Sequence, residues 1–419
     1  MYIIAHAGWE IMAADEVYSS LDCMTTDLTL DSTPDSTADT TSGTSTWRAR
    51  WRRSAIPFFF FMLGLLYASW AARIPSIRDN LQLDAATLSM VLLCGGIGAV
   101  GSFPLAAWLN AHYGPRRTAW YAGLVLLLTL PALGIAPNLV LLMLFSAIYG
   151  AASSCFDVAI NALGAVAEKQ AGRSIMSLLH AWFCVGTFSG ALLGSAVAAF
   201  EVTPFWHFAA LAVVFLLPLR LGYKAMPNDR PEPSADKKIF AIPHGHLVAL
   251  GLIGFCGAIV EGSIADWSGL YMKDHMHAGD GGAPLAYAGF AGMMLLARLV
   301  GDRLKERWGA RKVVGFGSLL AAAGVFIAVA AIDIPMAIVG FAIAGTGVAM
   351  VFPFVFSAAG RHGAIALAGV ATLSYSGGLI GPPVVGFLAH GFGLQAGLAF
   401  IGTLCIAVAL AASRAKWLE

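Results

Sequence analysis

Charge is scarce in this chain. Of its 419 residues only 12% are Asp, Glu, Lys or Arg, while 58% are hydrophobic. A soluble domain carries roughly 25% charge, so too little polar surface is present to cover a water-soluble globule. The alternating ten-residue pattern of a membrane β-barrel is missing. No GxxxxGK[ST] sequence occurs, which excludes a phosphate-cradling loop and with it an ATP-driven pump within the chain. The six cysteines (Cys23, Cys94, Cys155, Cys184, Cys256, Cys405) form no CxxC pair, and five of them lie in apolar runs. They read as small buried hydrophobes rather than a disulfide or zinc framework. His244/His246 and His275/His277 have i,i+2 spacing but no cysteine partner, so neither a metal nor a cofactor is expected.

Lys and Arg are absent from residues 1–46, which hold eight acids and fifteen Ser or Thr. Such a segment buries too little apolar surface to order itself and is expected to be a disordered cytoplasmic tail. It lacks the basic start and apolar core of a secretory signal; Met12 and Met24 leave a later start open.

Long apolar runs fill the remainder, and mean hydropathy is +0.75. A span needs ~20 mostly apolar residues, and only helices satisfy the backbone in lipid when no barrel pattern is present. Window reading places spans at 55–73, 87–109, 118–136, 138–164, 174–199 and 204–222, then at 246–271, 284–303, 313–331, 335–358, 364–389 and 393–412. The expected fold is an all-α membrane protein of twelve transmembrane helices in two pseudo-symmetric six-helix halves. Its segments are the tail (1–46), a first half (47–222), a proline-bearing cytoplasmic loop (223–243), a second half (244–413) and a short cytoplasmic end (414–419).

Positive charge sets orientation. With the N-terminus inside, 21 of the 25 Lys and Arg fall on the inner side, three (Arg73, Arg78, Lys273) on the outer side, and Arg298 within a span. A multi-pass protein of the inner (plasma) membrane with both termini cytoplasmic is expected, as a monomer. The acidic tail and the membrane-hugging positive charge argue against a nucleic-acid partner; the partners expected are the lipid bilayer, a small-molecule solute and a proton.

The two halves echo each other. Tyr113-Gly114-Pro115-Arg116-Arg117 follows the second span and Trp308-Gly309-Ala310-Arg311-Lys312 the eighth, 195 positions later; Gly186 and Gly381 share that offset. A six-span repeat marks a duplicated transporter. Gly301-Asp302-Arg303 through Lys312 resembles the signature between spans two and three of each half in the major facilitator superfamily. The first-half copy departs from it, with Ala111 and His112 where an acid and a base are usual. Asp157 to Ala162, Met176 to Phe183, Glu261-Gly262, Asp266-Trp267-Ser268 and Gly381-Pro382-Pro383 resemble a sugar-permease-like bacterial branch near the fucose permeases. That resemblance implies alternating access, proton coupling and a cavity lined by the first and seventh spans. The Gly-Pro signature usual in the fifth span of drug antiporters is absent, since Ala191 follows Gly190.

Few ionisable residues lie within the spans. An ionised carboxylate there costs at least ~2.5–3.5 kcal/mol, so Asp157, Glu261 and Asp266 are candidates for solute or proton binding. Asp157 and Asn161 share a helical face, and His180 enters the next span at similar depth; the three are expected to form one polar cluster, or else to anchor helices. Glu261 lies mid-span. Asp266, beside Trp267 and Tyr271, either joins it or marks an aromatic belt. Tyr67, Trp182, Tyr375 and Ser374 suit the wall of a sugar-sized cavity or plain packing. Arg298 has Asp302 four residues on, the spacing of an intrahelical pair, and is expected to form a conformational latch with Asp302, Glu306, Arg307, Gly309 and Arg311.

The expected function is secondary active transport of a small polar, sugar-like solute by alternating access with proton coupling, and not an enzymatic one. An exporter of hydrophobic compounds shares the same architecture. A non-transporting sensor or membrane enzyme is the rival of another class, and the chain offers neither a nucleophile cluster nor a folded soluble domain for it.

Overall fold

The computed structural model describes residues 42–171, 175–226, 244–362 and 364–418. The chain divides into a unit Met1–Trp47 and a compact unit Arg48–Glu419. Helix α1 (Ser42–Leu81) starts before the expected end of the tail, whose residues 1–41 lie outside the described residues. Most of the central loop and the side chains of residues 42–53 do so as well.

The described residues are helical almost throughout, with α2 (Ala85–Gly101), α3 (Phe103–Tyr113), α4 (Pro115–Ile135), α5 (Leu139–Ala171), α6 (Met176–Ala199) and α7 (Pro204–Ala225) completing the first set. The second set is α8 (His246–Asp274), α9 (Leu285–Trp308), α10 (Ala310–Val329), α11 (Ile334–Val348), α12 (Val351–Gly360), α13 (Ala364–Phe392) and α14 (Leu394–Arg414). Among the described residues ten helices are long and apolar enough to cross a membrane. The other two positions are filled by α9, whose apolar part is the shorter Leu285–Gly301, and by α13, 29 residues with no Asp, Glu, Lys or Arg.

Two of the expected spans are broken helices. The second is α2 plus α3, interrupted at Ser102, with a proline in the first turn of α3. The tenth is α11 plus α12, interrupted at Ala349 and Met350. Proline cannot donate to the carbonyl four residues earlier, so Pro353 leaves the Ala349 carbonyl free of its helical bond.

Within the first set α5 packs on α2 and α4, and α4 on α7; within the second α8 packs on α13, α11 on α9 and α10, and α10 on α14. The sets meet where α13 packs on α2 and α9 on α6. Glycines make these approaches close. A methyl on Gly150 would strike the Gly95 carbonyl, and one on Gly345 the Phe290 carbonyl, at the same 195-residue offset. Between α6 and α13 the register differs from expectation. Gly186 meets the Phe61 carbonyl as Gly377 meets that of Phe255, and Gly190 meets Leu65 as Gly381 meets Ile259. Gly186 therefore corresponds to Gly377, one helical turn from the expected Gly381, because the second set is four residues shorter between its fourth and fifth spans.

Gly114 and Gly309 end one helix and begin the next with nearly identical backbones, φ 81° ψ 154° and φ 80° ψ 148°. This region is essentially reserved for glycine, at about 1–3 kcal/mol for other residues. Either residue changed to Ala should lower the melting midpoint of the purified protein, whereas Gly391→Ala, which has open space and sits in a helix, should leave it level or raise it. Equal midpoints for all three would overturn the strain assignment.

Candidate functional site

The centre of the described molecule is organised by Arg298, on α9. Its Nη1 donates to Cys184 Sγ on α6 at 2.7 Å, its Nε to the Ala349 carbonyl at 3.3 Å, and its Nη2 lies 3.7 Å from Glu261 Oε2 on α8. The Ala349 acceptor is the carbonyl that Pro353 releases. One guanidinium thus joins α8, α9 and the α11–α12 break to a helix of the first set. The Asp302 side chain, the partner expected for Arg298, lies outside the described residues; the carboxylate seen beside Arg298 is Glu261 on α8. The spacing rule gives the nearest partner along one helix and is blind to a carboxylate on the neighbouring helix.

Tyr67 on α1 and Tyr287 on α9 lie within electrostatic range of Glu261 and Asp266, Tyr67 also of Tyr149, and Tyr287 also of Cys184 and Arg298. Tyr287, Tyr149 and Cys184 are missed by sequence reasoning. A signal exists for Tyr287, which sits eleven residues, about three turns, before Arg298 and so on the same face. Asp266 is 8% exposed, which places it in the protein interior with Tyr67 and Tyr287 rather than in an aromatic belt.

Asp157 and Asn161 on α5 are together: Asn161 Nδ2 donates to Asp157 Oδ1 at 3.0 Å and to the Asp157 carbonyl at 2.9 Å. Tyr375 on α13 is coupled to both Asp157 and Glu261. His180 is joined to the Asp157–Asn161 pair by no hydrogen bond among the described residues. It is exposed, its ring stands edge-on to Phe60 with centroids 5.3 Å apart, and its electrostatic neighbour is Arg298. Trp182 is exposed and stands edge-on to Phe61; Tyr375 is exposed between Phe352 and Phe356. Ser374 is fully buried and donates to the Val370 carbonyl, so it packs helices and lines no cavity.

The expected latch at the Gly309 end is only partly seen. Glu306 and Arg307 are exposed and form no ion pair among the described residues. Lys305 reaches across to α12, donating to Ser357 Oγ at 3.1 Å and standing over the Phe354 ring. The dense charge network lies at the opposite end. Arg78 donates to Asp274 in a bidentate fashion, one bond at 2.7 Å, and to Asp79. Lys273 lies 2.5 Å from both Asp79 and Asp280. Arg78 and Asp79 end α1 and Lys273 and Asp274 end α8, so the network ties the two sets. Beside it, Ser195 Oγ donates to the Gly281 carbonyl. Asp84, the cap of α2 between two helices, accepts from the Thr87 N–H, which holds its carboxyl below the usual carboxylate range.

Two sets of six membrane-length segments around a polar interior define a multi-pass α-helical membrane protein. The chain belongs to the Major Facilitator Superfamily of transporters: the family model matches residues 55–363 and 250–419. An MFS-type transporter of Yersinia pestis is 34% identical over 357 residues, covering 84% of this chain and 93% of that protein. Transporter y4wD of Sinorhizobium fredii is 31% identical over 359 residues, covering 84% and 95%. In fold, the chain is similar to the nucleoside transporter NupG in its D323A mutant (TM-score 0.71, 13% identity, 87% of this chain and 100% of that one). It is also similar to a bacterial homologue of the human lysosomal transporter Spinster in an inward-facing and occupied conformation (TM-score 0.70, 13% identity, covering 90% and 98%).

Proposed function

We propose that the chain is a proton-coupled secondary transporter that carries a small polar solute of sugar-like character by alternating access. The observation that carries this reading is the Glu261–Arg298 pair, with Cys184 of the first set bonded to the same guanidinium and Tyr67 and Tyr287 within electrostatic range. Protonation of Glu261 would dissolve the ion pair and free the guanidinium for solute oxygens; loss of the proton would restore it. Asp266, Tyr67 and Tyr287 flank the pair as hydroxyl and carboxyl partners, and Trp182 and Tyr375 offer accessible rings for the apolar face of a sugar. Asp157, held by Asn161, is the second candidate proton carrier. The bias of 21 positive residues to three favours a plasma-membrane orientation with the Gly309 end and both termini cytoplasmic. In that orientation the network of Arg78, Asp79, Lys273, Asp274 and Asp280 closes the outer end in the state seen here.

Ligand discovery comes first: the melting midpoint of the purified protein is read against a solute library at two pH values, since a ligand that binds the folded state raises it. The result expected is a polar, sugar-like hit with pH-dependent stabilisation; hits confined to lipophilic cations would replace the reading with an exporter. With that solute in proteoliposomes, Glu261→Gln should abolish proton-driven accumulation yet retain counterflow exchange. Unchanged accumulation would remove Glu261 from the coupling step.

A further inference from the structure

Away from the Arg298 centre, a second cation is buried in the first set. Arg73 on α1 is 3% exposed, yet only its Nη2 is bonded, to the Val202 carbonyl at 2.5 Å; Nε and Nη1 have no partner among the described residues. His207, in the first turn of α7, is also 3% exposed and both of its ring nitrogens are unpartnered. The two groups are electrostatically coupled. Packing brings their segments together: Arg73 Nη2 reaches the carbonyl of Val202, just ahead of α7, and a methyl on Gly194 would meet Ala72 and lie 3.9 Å from His207 Cε1. Ser69, one turn before Arg73 on the same face of α1, is fully buried and its hydroxyl is unpartnered. The start of α7 adjoins them, and its Thr203 makes no side-chain cap.

Arg73 brings a positive charge, and His207 and Ser69 can each turn a donor toward an anion; a buried charge is costly unless it is paired. Among the described residues no carboxylate within bonding distance balances Arg73. Asp280 is in electrostatic range but is largely exposed and engaged by Lys273. Glu201, next to Val202, is exposed and forms no ion pair with Arg73. Two unpartnered guanidinium nitrogens, an imidazole, a hydroxyl and an uncapped helix start, where backbone N–H groups and the helix dipole favour negative charge, are the groups an anion would use. We propose that Arg73, His207, Ser69 and the α7 N-terminus bind a small monovalent inorganic anion, of chloride size, where α1, α6 and α7 meet. The unpartnered atoms of Arg73, His207 and Ser69 are all closed to solvent, which excludes a solute-sized occupant and leaves only an atomic ion. The site is separate from the Arg298 centre, and its existence is independent of the transport reading.

The test uses the purified full chain at constant pH and ionic strength, with chloride, bromide or gluconate as the sodium salt. Chloride and bromide should raise the melting midpoint saturably, by about 2–4 °C, and gluconate should not. Radioactive chloride should bind the wild-type protein with a matching half-saturation concentration. Arg73→Lys, which keeps the charge but loses the planar fork, or His207→Phe should weaken that half-saturation at least fivefold. Identical midpoints in all three anions, or an unchanged half-saturation in both variants, would overturn the site.

Discussion

Replacing Arg298 with Met should stop solute transport, cutting the initial rate more than about a hundredfold, and should also cost the fold stability. Removing one partner of a buried pair leaves the other charge uncompensated, at about 3–5 kcal/mol. The side chains of Arg298 and Glu261 are 19% and 25% exposed, so the lower end of that range applies. The loss has three parts: Glu261 is left unpaired, the Ala349 carbonyl released by Pro353 loses its donor, and the tie to Cys184 on the first set disappears. The double variant Arg298→Met/Glu261→Gln removes both charges and should regain most of the stability while remaining without proton-driven uptake. A double-mutant cycle on melting midpoints separates the pairwise term from the rest. Arg298→Lys keeps the charge but has no fork with which to reach three partners at once, and should fall between wild type and Met. Normal uptake by Arg298→Met, or a double variant no more stable than the single, would show that the pair does not organise the site.

The bundle was legible in the sequence because the bilayer leaves a single economical answer: runs of ~20 apolar residues, helices, and positive charge on alternate turns. The Gly114 and Gly309 turns were legible too, since a short, backbone-dictated motif repeats without side-chain help. Register was harder. Matching Gly186 to Gly381 assumed one constant offset, and a four-residue shortening ahead of α13 moved the true counterpart to Gly377. The candidate site was legible as a set of residues and not as a set of contacts. Intramembrane Glu261, Asp266, Asp157 and Arg298 stand out because charge is costly there, but which helices are neighbours is a property of bundle packing. Spacing along one helix therefore points Arg298 to Asp302 and is silent on Glu261 one helix away, and Tyr287 is an ordinary aromatic in sequence.

Neutralising Arg78 and Lys273 together should open the end of the bundle that they now hold shut. Two of their contacts, Arg78 to Asp274 and Lys273 to Asp79, cross between α1 and α8 and hence between the two sets. Partly exposed pairs contribute about 0.2–1 kcal/mol each, so the crossing contacts together bias the equilibrium by roughly 0.5–2 kcal/mol. That is about a 2- to 30-fold change in the population of the opened state. The freed Asp79, Asp274 and Asp280 would repel one another and push in the same direction. The reporter is a thiol at Leu270, which is 2% exposed and faces a cleft of about 370 Å3 lined also by Arg78, Asp84, Trp267 and Asp274. Its reaction with a membrane-impermeant maleimide, taken above the signal of the native cysteines, should accelerate 2- to 30-fold in Arg78→Gln/Lys273→Gln, while a thiol at Tyr375 should slow. Salt gives an independent check, because a Debye length of about 3 Å at 1 M screens exposed charge: the Leu270 thiol of the otherwise wild-type protein should speed up with salt and that of the double variant should not. A Leu270 rate indifferent to both substitutions and salt would mean that apolar packing at this end, such as Pro75 on Gly269, holds it closed without help from charge.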